Sequence, residues 1–258
     1  MINRLSQAVH SLRKQVRNKI WRLQQEAKMR RFYRQFIQPG DLAFDVGANI
    51  GSRTGVFLRL GARVVAVEPQ SHCVAKIRKM HGRNPNLTIF QGGLADKPGE
   101  LTLHVSSNSA ISSMAPDWMD ALKGRDGWEN FQWETTQIVP VTTLDALIAQ
   151  HGRPAFVKID VEGFELPVLQ GLSSPVKALS FEYTPEYLSA THACLDHLIG
   201  LGPYRFNFSV KESMEYVLPS WVGPADLWQA LLNVPVKNRS GDVYAMLREA
   251  HDKRPDLS

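Results

Sequence analysis

The hydrophobic pattern changes character at Pro39 and Gly40. Before them, apolar side chains at Ile2, Leu5, Val9, Leu12, Val16, Ile20, Leu23 and Ala27 recur at spacings of three and four. That spacing predicts an amphipathic helix over residues 2–36, with a strongly basic opposite face. After them, short apolar runs alternate with helical patterns. Strands are predicted over residues 42–46, 63–67, 87–91, 100–105, 137–141, from 156 onward, and over 176–181, 204–210 and 243–247. Helices over 51–60, 72–81, 142–150, 166–172, 187–201 and 225–232 fill the intervals. This alternation predicts one α/β domain with an appendage. Between residues 106 and 134 the periodicity fails, and Ser109, Ser112 and Ser113 are followed by Trp118, Trp128, Phe131 and Trp133 among charges. A loop of this length is usually functional or disordered, and its aromatics argue against disorder. It reads either as a lid whose flat rings take a sugar, or as a satellite hydrophobic cluster.

The stretch Phe44 to Gly51, FDVGANIG, joins the first core strand to a helix through a tight glycine turn. This is the opening of a nucleotide-binding α/β unit. Gly47 has no Cβ, so a ligand can approach the backbone closely. The turn departs from the dinucleotide fingerprint: only Gly47 and Gly51 are glycines, and Asp45 sits at its mouth. A carboxylate there repels a pyrophosphate and favours an ammonium group. S-adenosylmethionine (SAM), which has no phosphates and carries an amino group, suits it better than a dinucleotide. Glu68 ends the second strand about 20 residues on, where such folds place an acid that accepts from both hydroxyls of a ribose. Gly93, Leu94 and Ala95, after the third strand, offer a surface on which an adenine can stack. Asp96 is open between a hydrogen bond to the adenine amino group and a plain turn role.

A second charged stretch is FVKIDVEGFE, Phe156 to Glu165, which delivers Lys158, Asp160, Glu162 and Glu165 near the end of one strand. Parallel strands gather their carboxyl ends at the binding crevice, so Asp160 should share an edge with Gly47 and Glu68. Glu182 ends the next strand and is placed to face Asp160. The bland reading is a helix-start acid with a Lys158–Glu162 ion pair. No metal is assigned, since two carboxylates lack a clear third ligand and His192 and His197 have no ligand spacing.

The charge is uneven. Residues 1–34 hold ten basic side chains against one acid, Glu26, in a chain of net charge +5. The helix could pack on its own domain, pair with a second copy, or attach to an anionic membrane surface or acidic protein partner. Nucleic acid is disfavoured, because the basic residues are confined to the appendage. Cys73 and Cys194 imply no disulfide framework and fit a reducing compartment. No apolar run approaches the roughly 20 residues of a membrane span, and no secretory core is present. The expected location is the cytoplasm, peripheral at the inner membrane face if the helix binds lipid.

Taken in order, FDVGANIG, VAVEPQ (Val65 to Gln70), LDALI (Leu144 to Ile148), VKIDVEGFE and SFEYTPEY (Ser180 to Tyr187) resemble the FkbM-type SAM-dependent methyltransferases. The resemblance runs from about residue 40 to 247. It implies a Rossmann-like, doubly wound α/β fold, with a seven-stranded mostly parallel sheet and an antiparallel C-terminal strand. The domain would span 39–250, with residues 1–38 as a helical extension, an aromatic-rich insertion at 106–136 and a tail at 251–258. By this resemblance Asp45, Gly47, Ala48, Asn49 and Gly51 hold the methionine part of SAM, Glu68 and Pro69 the ribose, and Gly93, Leu94 and Ala95 the adenine side. Asp160 and Glu162 match the acidic motif beside the transferred methyl. The implied activity is O-methylation of a hydroxyl on a saccharide, glycoconjugate or small molecule. A carboxylate would take the hydroxyl proton: Asp160 first, then Glu162 and Glu182, with His104 an outsider. N-methylation on the same fold, a noncatalytic SAM-binding scaffold and a homo-oligomer remain open.

Overall fold

The computed structural model describes residues 2–106, 108–125, 132–235 and 240–248, apart from the side chains of residues 2–13, 15, 18, 19 and 22. Trp128, Phe131, the tail at 251–258 and the side chains of Ile2, Leu5, Val9 and Leu12 lie outside the described residues. The main sheet is made of β1 (Leu42–Val46), β2 (Arg63–Val67), β3 (Leu87–Phe90), β7 (Phe156–Ile159), β8 (Ala178–Tyr183), β9 (Tyr204–Phe208) and β10 (Gly241–Leu247). Three further strands, β4 (Gly93–Leu94), β5 (Gly99–Ser106) and β6 (Trp133–Thr142), form a second sheet. The helices are α1 (Ile2–Tyr33), α2 (Ser52–Arg59), α3 (Ser71–His81), α4 (Pro116–Leu122), α5 (Leu144–His151), α6 (Glu165–Gln170), α7 (Leu188–Leu201) and α8 (Pro224–Leu232).

The main sheet runs in the order β3-β2-β1-β7-β8-β10-β9. All of its pairings are parallel except those of β10, which is antiparallel to both β8 and β9. From β1 the chain winds outward to β2 and β3, then returns to β7 on the other side. The switch point therefore falls between β1 and β7, where such sheets open a crevice at the carboxyl ends of their strands.

Every residue of β1 is buried, as a strand covered on both faces requires. On one face Phe44, Val46, Val157, Ile159 and Phe181 meet α5, α6, α7 and α8. On the other, Ala43, Val64, Phe156, Ala178 and Tyr244 meet α2 and the end of α1. Along this second face the strands turn polar toward the carboxyl edge. Ala43 is followed by Asp45, Phe156 by Lys158, Ala178 by Ser180 and Glu182, and Tyr244 lies two positions from Asp242 on the antiparallel β10. Successive same-face residues are two apart, so one surface runs from aromatic packing to a charged edge.

Residues 29–37, part of the appendage in the sequence pattern, are packed as core. Phe32, Tyr33, Phe36 and Ile37 are buried, and Phe36 stacks on Phe156 with ring centroids 4.7 Å apart and planes 16° apart. The upstream part of α1 projects: each described side chain from residue 14 to 24 is exposed, including Val16, Ile20, Trp21 and Leu23.

The insertion is more regular than its sequence suggests. It holds a 3-10 turn (Ser109–Ile111) and α4, and β6 begins at Trp133 instead of residue 137. The first residues of β6 carry no apolar alternation because most of them are exposed, and antiparallel pairing with β5 holds them. Trp118 is buried with Ile111, Met119 and Leu122, while Trp133 packs on it edge to face, so these two of the insertion's aromatics form a satellite cluster.

Replacing Phe32, the buried ring in the last turn of α1, by Ala should cost about 3–5 kcal/mol in urea unfolding, the range for deleting a buried ring. Leu23→Ala, on the projecting part, should change stability by less than about 0.5 kcal/mol. Equal effects would refute the division of α1 into a packed and a projecting part.

Candidate active site

A cavity of about 330 Å³ opens at the switch point, lined by the ends of β1, β2, β7 and β8 and by the insertion. Gly47 (φ +79°) and Asn49 (φ +48°) turn the chain sharply after β1. At Gly47 a Cβ would lie 1.8 Å from the Asp160 carbonyl oxygen, so only glycine lets these two strand ends meet. The Gly47 and Ala48 N–H groups both donate to the Val67 carbonyl at 3.0 Å, which fixes the turn against β2.

Glu68 is held from both sides: the Asn49 N–H donates to Oε2 and the Gln70 N–H to Oε1, each at 2.8 Å. Burial pushes its carboxyl up to about 7, against the opposing pull of these two donors. Remaining lone pairs can still accept from a diol. Asp45 lies deeper than its place in the sequence suggests, buried, with the Thr54 hydroxyl donating to it. Burial raises its pKa despite that bond.

Arg53 was not singled out from the sequence. It sits in the first turn of α2, where a cation opposes the helix dipole, and that misplacement was the available signal. It lines the cavity, pairs with Glu212 at 2.9 Å, and leaves its buried Nε without a partner.

Lys158 is only 1% exposed. Its Nζ donates to Asp242 at 2.8 Å and to Asp160 at 3.2 Å, so the ion pair of the bland reading, Lys158–Glu162, gives way to these two. Residues two apart on a strand share a face, which brings Asp160 beside Lys158. Glu162 instead adopts φ +54° in the turn beyond β7. Burial alone would lower the lysine's pKa, but the two carboxylates outweigh it and hold it protonated. Asp242 went unnoticed because it stands on an antiparallel strand distant in sequence.

Asp160, Glu162 and Glu182 converge, with one carboxylate oxygen from each lying within 4.8 Å of the others. Glu182, placed by the sequence to face Asp160, is thus the third oxygen ligand that the metal reading lacked, and the trio has the oxygen donors of a hard-cation site. Burial works to raise all three. At Asp160, Lys158 and Arg53 outweigh it and hold the acid below its ordinary value. At Glu162 and Glu182 burial and the neighbouring acids together push the carboxyls well up. Glu182 Oε2 is buried and unpartnered.

The turn that carries Glu162 is braced from two sides. Glu165 accepts from the Val161 and Gly163 N–H groups, each at 3.2 Å, so its role is to shape the turn. Gly163 (φ +90°) lies against Trp118, whose Cγ would be 2.2 Å from an added Cβ, and Ser113 donates to the Glu162 carbonyl.

Of the other expected residues, Ala48, Pro69, Gly93 and Leu94 line the cavity with those above. Gly51 does not: it caps α2 at φ +85°, with its open side toward Ile77. Ala95 is buried beneath β5 and β6, Asp96 points to solvent, and His104 lies off the cavity wall. Among the described residues, the insertion lines the cavity with Ser109, Ala110, Ser112 and Met114. Gln70 ties it down, accepting from the Ser112 hydroxyl and donating to the Ser109 carbonyl. The cavity suits SAM: an acid for the ribose diol, acids for an ammonium, and an incompletely paired guanidinium for a carboxylate.

The model of the "Methyltransferase FkbM domain" matches residues 45–198, more than half of the chain. The hexuronic acid methyltransferase AglP of Haloferax volcanii is 25% identical over 168 residues, which are 63% of this chain and 64% of that protein. The match thus spans less than two thirds of that relative's length. A precorrin-6y C5,15-methyltransferase structure from Geobacter metallireducens aligns with a TM-score of 0.44 and 13% identity, over 88% of this chain and 86% of that one. Aeropyrum pernix fibrillarin, solved with S-adenosyl-L-methionine, aligns at 0.41 and 9%, over 82% and 68%.

With its folded-state pKa raised, Glu68 adds stability that is present in full at acid pH and is lost as pH rises toward 7. Ligand affinity should run the opposite way, since the ionised carboxylate is the stronger acceptor. SAM affinity measured by calorimetry should therefore rise roughly tenfold from pH 6 to 8. Glu68→Gln should bind weakly with no such slope, and a slope that survives in this variant would refute the assignment. Lys158→Met should cost about 3–5 kcal/mol, since it leaves two acids facing each other unpaired. Urea unfolding measures it, and a loss below about 1 kcal/mol would count against the pair.

Proposed function

The chain belongs to the FkbM methyltransferase family, and we propose that it transfers the methyl group of SAM to a hydroxyl of a saccharide or glycoconjugate. The observation that carries this reading is the trio Asp160, Glu162 and Glu182 at the cavity beside the glycine turn. A hydroxyl becomes acidic as its oxygen is alkylated, so a nearby carboxylate that takes the proton assists the reaction, typically 10²–10⁴-fold. The printed name of the Haloferax relative, a hexuronic acid methyltransferase, supports a saccharide acceptor.

Bound in the cavity, SAM supplies an electrophilic methyl on a positively charged sulfur. Glu68 receives the ribose hydroxyls, Arg53 the carboxylate, and Asp45 with Asp160 offsets the cationic end. The electrostatics reorder the candidates for the base. Asp160, held ionised by Lys158, grips a proton poorly and acts chiefly as a fixed negative charge. Glu182 has the greater proton affinity and a free buried oxygen, which makes it the first candidate base, with Glu162 beside it. A cationic ligand facing Glu182 favours its ionised form, so the base is made ready when the cofactor is in place. Walls that exclude water and hold the acceptor in line supply most of the remaining rate.

An amine acceptor would use the same cavity, and a noncatalytic protein would bind SAM without turnover. Incubation with methyl-labelled SAM and a panel of hexuronic acid and neutral glycosides separates these. An alkali-stable ether on the sugar is expected, whereas an alkali-labile ester, an N-methyl product or no transfer would overturn the hydroxyl reading. Glu182→Gln should lower kcat by about 10²–10⁴-fold while SAM affinity stays within about threefold. Unchanged kcat would remove Glu182 as the base. If EDTA abolishes activity and Mg²⁺ restores it, the trio holds a cation and deprotonation belongs to a metal-bound hydroxyl.

A further inference from the structure

We propose that the projecting part of α1 is an interfacial helix that seats the protein on an anionic lipid surface. The backbone is helical from Ile2 to Tyr33, and the domain holds only its root: Lys28 pairs with Glu215, Glu26 with Arg59, and Phe32 and Tyr33 enter the core. Upstream, no described side chain from residue 14 to 24 is covered, although Val16, Ile20 and Leu23 are apolar and about half exposed. At about 100° per residue, Ile2, Leu5, Val9, Leu12, Val16, Ile20, Leu23 and Ala27 fall within an arc of about 80°. On the helical backbone these positions follow one another without a gap over about 40 Å.

Charge decides what covers this stripe. Residues 2–25 contain Arg4, Arg13, Lys14, Arg17, Lys19 and Arg22 and no acid. At about 100° per residue, positions 13 and 17 border the apolar arc on one side and position 19 on the other. In a pair of such helices these flanks would set like charges against each other, and no acid is present to relieve them. Lipid phosphates supply the missing negative charge, and long basic side chains beside a buried stripe can reach up to the headgroup level. Among the described residues no helix is long and apolar enough to cross a membrane, so the association is peripheral.

The stripe is tested with the full chain, because its root is core and truncation through residue 34 would remove Phe32 and Tyr33. Wild-type protein is floated with vesicles of phosphatidylcholine alone or with 30 mol% phosphatidylglycerol, at low and high salt. Binding to the anionic vesicles, at least tenfold weaker to neutral ones and reduced by salt, is expected. Ile20→Asp with Leu23→Asp should lower that binding at least tenfold while leaving SAM affinity and far-UV circular dichroism unchanged. No flotation, equal binding to neutral vesicles, or full binding by the variant would overturn the proposal. A wild-type dimer in analytical ultracentrifugation that the substitutions dissociate, without vesicle binding, would assign the stripe to a second copy instead.

Discussion

The ammonium of Lys158, buried between Asp160 and Asp242, is the constraint on which the catalytic edge depends. A lysine with 1% exposure is tolerable as a cation only when carboxylates face it. It reaches Asp242 across β8, where its register partner is Ser180, a small side chain that leaves room for the crossing. The interaction therefore ties the last parallel strands to the antiparallel one. It also holds the charge on Asp160, and that charge is one reason the pKa values of the neighbouring Glu162 and Glu182 are pushed up. One buried ammonium thus separates a carboxylate held ionised from two whose proton affinity is raised.

The position of those acceptors depends on a second contact, between parts of the chain that look unrelated in sequence. Gly163 and Glu162 both have positive φ, and a turn of this kind needs support to persist. Glu165 supplies it from within the motif, whereas Trp118 and Ser113 supply it from the insertion. The insertion is therefore a wall and a brace of the cavity. Its serines meet Gln70 and Asn49 while its tryptophan lies under the turn.

What was legible in the sequence followed from burial on both strand faces. The runs at 42–46 and 63–67 could be little else, and Gly47 and Glu68 at their ends were readable because a parallel sheet brings its carboxyl ends to one edge. The FkbM motifs carried Ala48, Asn49, Gly93 and Leu94, which line the same cavity. Lys158 with Asp242 was not legible, since the pairing is set by the register of β10, more than 80 positions away. Helix α4 was missed because seven residues carry barely two turns of periodicity. Ala95 and Gly51 lie off the cavity wall although their motifs border it, because a motif fixes which backbone comes near a site, and not which neighbours face it.

The helix α1 shows the same limit from the opposite direction. Its apolar stripe is continuous in sequence, yet Tyr33 and Phe32 in its last turn meet Phe156 and Tyr244 while the described side chains from residue 14 to 24 are exposed. Periodicity reports that a face will be buried but says nothing of what buries it. The change of environment falls at the root, where Met29 touches Arg53 and Lys28 pairs with Glu215. Glu212, from the same loop as Glu215, holds the Arg53 guanidinium at the cavity wall. Any load carried by the projecting helix is therefore transmitted to the domain beside the one cavity-lining arginine among the described residues.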